Sequence, residues 1–156
     1  MSKALRTAWG QYPTGVTIVT ARDPQGNPMG LTASSFVSVS VDPPLISWNL
    51  GRSSSQFKRF AQAEVFAVHV LHAGQRDLAM TFASSGADKF GSLVLQGGLH
   101  GLPLLEDWQA LFQCRTHAQH EAGDHLIIVG EVLEFATREG REALVYYRGG
   151  FGGPSG

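Results

Sequence analysis

Charge is scarce in this 156-residue chain: Asp, Glu, Lys and Arg make up 16% of it, and the formal net charge is -1 at pH 7. Nucleic acid and anionic membrane surfaces are held by clustered Lys and Arg, so neither partner is expected. Cysteine is nearly absent. Cys114 is the sole one, which excludes an internal disulfide, and residues 1–6 lack the apolar run of a secretory signal, so a reducing cytoplasm is the expected compartment. No apolar stretch approaches the ~18 residues that a membrane span requires. A dinucleotide fingerprint is missing too: the glycines at 97, 98 and 101, or at 149–153, do not lie between a strand and a helix as Gly-x-Gly-x-x-Gly requires. A zinc site from Cys114, His117 and His120 fails on geometry. On one strand the first two face opposite sides, and the first and last stand about 20 Å apart.

What the chain does have is 43% hydrophobic residues, enough for one domain with a real core; a domain of this length buries roughly 70% of its unfolded surface. Most of it reads as strand. Residues 16–21 are rich in Val, Ile and Thr, and the turn cluster at 23–28 joins them to 29–34 as a hairpin. Short strands are expected at 37–41 and 45–49, separated by Asp42-Pro43-Pro44, and further ones at 65–71, 110–120, 125–135 and 143–147. Three helices interrupt them. Leu5, Ala8, Trp9 and Tyr12 recur at helical spacing before Pro13 and Gly15, a second helix follows Ser53-Ser54-Ser55 with Phe57, Phe60 and Ala61 on one face, and a third spans about 75–83 with Leu78, Ala79 and Phe82 aligned. Many short strands with few helices predict a mainly β protein, a small closed barrel with capping helices, because closure removes unpaired edges. There is no internal repeat and no linker. A single domain over 1–151 and a flexible tail at 152–156 are expected, since 149–156 is mostly glycine.

Four segments carry chemistry. Thr32-Ala33-Ser34-Ser35 ends a strand with three small hydroxyl residues, which suits either a solvated edge or a polar ligand lying close against backbone. Asn49-Leu50-Gly51-Arg52-Ser53-Ser54-Ser55 couples a strand end to a helix start, where the serines serve as caps or as part of a phosphate site. In Asp88-Lys89-Phe90, Lys89 is a candidate phosphate contact and Phe90 a candidate cover for an aromatic ring; the alternative is an exposed loop with one buried anchor. Finally, Glu121-Ala122-Gly123-Asp124-His125 reads as a hairpin turn, with His125 either a surface residue or a ligand contact at the hairpin base.

Taken together and in this order, these segments resemble the flavin reductase family with an FMN-binding split barrel. The resemblance runs from about Leu5 to Phe151 and rests on Tyr-Pro-Thr-Gly-Val-Thr-Ile-Val-Thr at 12–20, Gly-Leu-Thr-Ala-Ser-Ser-Phe-Val-Ser-Val-Ser-Val-Asp-Pro-Pro-Leu at 30–45, Asp-Lys-Phe at 88–90, Gly-Asp-His at 123–125 and Leu-Val-Tyr-Tyr-Arg-Gly-Gly-Phe at 144–151. It implies that Thr32, Ala33, Ser34 and Ser35 lie along the isoalloxazine and ribityl chain, that Asn49, Ser53, Ser54 and Ser55 hold the flavin phosphate, and that Lys89 and Phe90 form the flavin-edge loop. Tyr147 is implied near the flavin end of the last strand, while Phe151 stands where the family commonly has Tyr. His125 matches the histidine associated with the nicotinamide nucleotide and is the candidate catalytic residue, acting through positioning and electrostatics. The implied activity is NAD(P)H-dependent flavin reduction: hydride passes from NADH or NADPH to FMN, with FAD as the other candidate flavin, and reduced flavin goes to a monooxygenase partner. A homodimer is implied. The alternative is an FMN-binding electron carrier or flavin store without reductase turnover.

Overall fold

The computed structural model describes residues 1–85 and 88–154 of the chain. In chain order the elements are α1 (Ser2–Trp9), β1 (Thr14–Gly15), β2 (Thr17–Arg22), β3 (Pro28–Ala33), β4 (Val37–Ser40), β5 (Leu45–Gly51), α2 (Phe57–Gln62), β6 (Val65–Val70), α3 (Arg76–Ala83), β7 (Leu95–Gly97), β8 (Pro103–Leu105), β9 (Ala110–Ala122), β10 (His125–Thr137), β11 (Val145–Tyr147) and β12 (Gly150–Gly152). The fold is mostly β. Its principal sheet has the strand order β3-β2-β6-β9-β10-β5-β4, with every neighbouring pair antiparallel, and β1-β11-β12 and β7-β8 form smaller sheets.

Successive residues of a strand face opposite sides, so a strand buried at every position is covered on both faces. β2 is such a strand: Thr17 to Ala21 are all buried. Val19 packs on one side with Met29, Trp48, Phe60, Phe66 and Ile128. Ile18 packs on the other with Leu71, Phe82, Leu105 and Leu144. The first cluster is organised by Trp48, whose ring meets Phe60 and Phe66 edge-on at 5.7 and 6.0 Å. Phe66 in turn requires Gly130, because a Cβ there would come within 2.5 Å of its ring.

The long hairpin β9–β10 closes as the sequence predicts, on a two-residue loop whose Gly123 has φ +60. The hairpin β2–β3 also forms, and Asp23 Oδ1 accepts from the backbone N–H groups of Gln25 and Asn27 in its turn. The expected closure differs. The two end strands, β3 and β4, follow one another in the chain but do not pair among the described residues. The connecting residues Ser34-Ser35-Phe36 turn away from the ladder, and the Ser35 hydroxyl, rather than a strand, accepts the Asn49 N–H at 2.8 Å. The glycine-rich end begins with a further strand. Arg148 and Gly149 both have positive φ (51 and 78), the geometry of a type I′ turn, and they fold Gly150–Gly152 back onto β11 as a paired strand, with Phe151 5.2 Å from Tyr146. The expected tail at 152–156 therefore begins inside β12, and its residues 155–156 lie outside the described residues.

Candidate functional site

At the end of the sheet where β3 and β4 part, a cleft of about 440 Å³ opens. It brings together Thr32, Ala33, Ser34 and Ser35 from the end of β3, Asn49 from β5, Ser53, Ser54 and Ser55 from the loop before α2, Lys89, and His125 from the hairpin base. These segments are distant in the chain. They meet because β10 pairs with β5 in the register His125↔Gly51, which sets the hairpin turn beside the start of the serine loop. The Arg52 N–H donating to the Asp124 carbonyl at 2.9 Å fastens that junction.

The hydroxyls are not equivalent. The Thr32 hydroxyl donates to the Ala79 carbonyl of α3 at 2.6 Å, and that of Thr17 to the Ala33 carbonyl at 2.7 Å, so both brace the walls. Ser54 Oγ accepts from the Gln56 N–H at 3.2 Å. Ser34, Ser53 and Ser55 make no side-chain hydrogen bond among the described residues, which leaves three donors available to a ligand. Of the two readings of the serines, capping of α2 is not the one the structure shows. Gln56 occupies the cap position without a side-chain cap bond, and α2 is six residues long, too short for its dipole to contribute much. Arg52 turns out of the cleft, pairing with Glu121 at 3.0 Å and lying 5.2 Å over the Phe57 ring.

The cation on the cleft wall is Lys89. Its Nζ donates to the Gly30 carbonyl at 3.2 Å and the Phe82 carbonyl at 2.9 Å, and burial pulls its pKa below the usual lysine value. Gly30 is a junction of three walls. Gln56 bonds both its N–H (3.2 Å) and its carbonyl (2.9 Å), and a Cβ at Gly30 would lie 2.7 Å from the Phe82 ring. Phe90 does not line the cleft: it stands edge-on to Phe82 at 5.0 Å behind β3, and Phe82 takes the lining place. Tyr147 does not line it either. It lies on β11, exposed, with the Arg148 guanidinium 4.8 Å from its ring centre.

His125 is half exposed, and its Nδ1 lies 2.8 Å from Asp124 Oδ1, an arrangement satisfied by the Nδ1–H tautomer. That leaves Nε2 near Gly51 and the cleft, where a Cβ at Gly51 would stand 3.5 Å from it. The bond to His125 holds the Asp124 carboxyl below its ordinary range. Sequence reasoning passed over several lining residues, among them Leu31, Gln56, Phe82 and Ser84. The Ser84-Ser85 pair, echoing Ser34-Ser35, was the available signal; nothing local marks Phe82 as more than a helix core residue.

A mostly β chain whose sheet ends part around a cleft with open hydroxyls, a half-buried amine and an apolar backing belongs to the class of small-molecule-binding β domains, with chemistry suited to a flat, anionic ligand. The chain belongs to the flavin reductase like domain family, which it matches over residues 9–155. It is 46% identical over 151 residues to the FMN reductase (NADH) SmoA of Agrobacterium fabrum, covering 97% of this chain and 85% of that one. With the reductase component of the flavin-dependent trigonelline monooxygenase of Acinetobacter baylyi it shares 40% identity over 98% of its own length and 49% of that protein's. Among solved structures, the NADH:FAD oxidoreductase SgcE6 of Streptomyces globisporus, in complex with NAD and FAD fragments, superposes with a TM-score of 0.90 at 37% identity, covering 96% of this chain and 90% of that one.

Proposed function

We propose that this chain is an NADH-dependent flavin reductase that holds FMN, or FAD, in the hydroxyl-lined cleft and delivers reduced flavin to a monooxygenase partner. The observation that carries this reading is the combination, in one cleft of about 440 Å³, of three hydroxyls without protein partners among the described residues and an apolar backing of Leu31, Leu50 and Phe82. A flat ring system needs such a wall and a ribityl phosphate needs such donors, so the residues present fit the group. When bound, the flavin supplies the ring that accepts hydride from reduced nicotinamide. The chain's own part is to bind and orient. Thr32, Ala33, Ser34 and Ser35 follow the ring and ribityl chain, Asn49 and Ser53 to Ser55 take the phosphate, and Lys89 contributes a fixed positive charge from the wall it braces. His125, tethered by Asp124, directs Nε2 at the nicotinamide nucleotide. Phe90 acts from behind β3 by fixing Phe82, and Tyr147 has no role in this reading.

NADH is favoured over NADPH by the names of the Agrobacterium and Streptomyces relatives, and a monooxygenase partner by that of the Acinetobacter one. The test is oxidation of NADH and NADPH with FMN, FAD and riboflavin, followed at the nicotinamide absorbance. NADH oxidation with FMN or FAD is expected. A protein that binds FMN yet oxidises neither nucleotide is instead an electron carrier or flavin store.

The sheet whose ends part at Ser34-Ser35 is read as a split barrel, and residues 1–151 as one domain. A homodimer is supported by apolar side chains left uncovered: Val37, Val39 and Val41, at 54%, 52% and 92% exposure along and just past edge strand β4, and Leu5 on α1. A second copy would cover such side chains and the open edge of β4. Sedimentation at about twice 16.8 kDa is the expected result; a monomer with full turnover overturns it. The buried, unpaired Cys114, its thiol pushed up to about 12 by burial, fits a cytoplasmic setting. No helix among the described residues is long and apolar enough to cross a membrane.

A further inference from the structure

Ser53, Ser54 and Ser55 lie on the connection between β5 and α2, which is built from turns. The Ser54 N–H donates to the Gly51 carbonyl and the Phe57 N–H to the Ser54 carbonyl, both at 3.1 Å. Turns of this kind fix local shape and leave the placement of the whole loop to its anchors. One anchor is the Arg52 N–H on the Asp124 carbonyl. The other is Gln56.

Gln56 stands at the cap position of α2 without capping it, and its half-buried side chain reaches across to β3 instead. The carboxamide accepts from the Gly30 N–H at 3.2 Å and donates to the Gly30 carbonyl at 2.9 Å. A residue on a neighbouring antiparallel strand would make the same reciprocal pair. β3 is an end strand of the principal sheet, so the amide stands where a strand is missing. Gly30 is a firm point to hold. A Cβ there would come within 2.7 Å of the Phe82 ring and 3.1 Å of the Phe90 ring, and its carbonyl also accepts from Lys89 Nζ at 3.2 Å. Two residues further along β3 the hydroxyl run begins at Thr32. On the other side Gln56 directly follows Ser55, and its own N–H donates to Ser54 Oγ at 3.2 Å. One side chain thus ties the serine loop to the strand that carries Thr32 to Ser35.

We propose that Gln56 is a positioning residue that sets the spacing between the phosphate end and the ring end of the flavin site, and thereby the preference for FMN over riboflavin. The proposal rests on the reading of the cleft as the flavin site. A ligand held at two points gains from the second only when the spacing of the partners matches its own. FMN engages the serine loop through its phosphate and β3 through its ring and ribityl chain, so it depends on that spacing. Riboflavin has no phosphate and uses one end alone. Gln56 acts through the loop and β3, and its amide, spent on Gly30, needs no contact with the flavin.

The test is a pair of substitutions in the full chain. Gln56→Met keeps a side chain of similar length and loses both bonds to Gly30; Gln56→Asn keeps the amide on a stem one methylene shorter. FMN and riboflavin are titrated separately, read by quenching of flavin fluorescence. Gln56→Met is expected to weaken FMN about tenfold and riboflavin less than twofold, with Gln56→Asn between it and wild type. The phosphorus resonance of bound FMN should also shift in both variants, which reports the surroundings of the phosphate directly. A thermal melt on the same samples isolates the rival role, a polar cover for the free edge of β3. That role predicts a lower melting temperature with both flavins weakened alike, and this pattern overturns the proposal, as does a wild-type FMN-to-riboflavin ratio in both variants. If Gln56→Met does not fold, the ratio in Gln56→Asn decides. Failure of the flavin reading shows earlier and separately, as wild-type protein that binds FMN no more tightly than riboflavin.

Discussion

His125–Asp124 and His72–Asp107 are both histidine–carboxylate pairs with a 2.8 Å contact, and they sit in different surroundings. At His72 every group is engaged. Its Nδ1 accepts from the Gly74 N–H, so Nε2 carries the proton donated to Asp107, while Arg141 at 2.8 Å and Arg138 at 3.2 Å donate to the same carboxylate. Arg138 also lies 3.8 Å over the Trp108 ring. The Arg141 bond above all holds the Asp107 carboxyl well below the usual range. At His125 the carboxylate is 95% exposed and Nε2 has no protein partner among the described residues. A saturated pair fixes loops; a pair with an open nitrogen beside a cleft has capacity left for a ligand. The contact distance distinguishes nothing, and the count of remaining partners does.

A third histidine extends the contrast to full burial and carries the largest expected effect. His69 donates from Nδ1 to the Ile18 carbonyl and accepts from the Leu105 N–H at Nε2, both at 3.0 Å, and burial pushes its pKa down from 6.5 to about 4. Below pH 6.5 the unfolded chain takes up a proton that the native chain does not, so stability is full above that pH and falls as pH drops toward 4, by up to about 3 kcal/mol. Urea unfolding at pH 7 and pH 5 measures it, and His69→Gln should flatten that part of the slope. An unaltered slope in the variant would remove His69 as its source.

Breaking the saturated pair comes next. Asp107→Ala removes the acceptor that His72 shares with two arginines and should lower stability by about 2 kcal/mol while FMN affinity stays within twofold. A thermal melt and a flavin titration on the same sample check both halves; a loss of FMN affinity with unchanged melting would invert the contrast.

On the cleft side, replacing Ser53 and Ser54 together with Ala should weaken FMN about tenfold and riboflavin much less, because only FMN carries the phosphate. Equal losses for both flavins contradict the assignment. The smallest structural effect belongs to the open pair. His125→Ala should raise KM for the nicotinamide nucleotide or slow hydride transfer several-fold, with melting temperature and flavin affinity unchanged. Stopped-flow reduction over a nucleotide series reads this directly, and wild-type rates and affinity would make His125 a surface residue like any other.

Much of the cleft was legible before the fold was known, because its chemistry is local. Three hydroxyl residues ending a strand, a serine loop after Asn49 and a Gly-Asp turn ahead of His125 are all short-range signals, and the register of β5 on β10 then draws them together. Phe90 and Tyr147 were less legible. Whether an aromatic side chain covers a ligand or supports the residue that does depends on which face of β3 or β11 it reaches, and that is settled by packing against Phe82 and Arg148.

The sequence by itself determined the mainly β character, the hairpin β2–β3, the long hairpin β9–β10 and the polar segments of the cleft, since alternation, turn residues and hydroxyl runs act over a few residues. Only the tertiary structure decided three things. The sheet stays open between β3 and β4, which follow one another in the chain yet do not pair among the described residues. The glycine-rich end becomes β12 because left-handed Arg148 and Gly149 return it to β11. α1, none of whose residues is buried, borders a cavity that it shares with Arg148, a meeting of segments more than a hundred residues apart that no local pattern encodes.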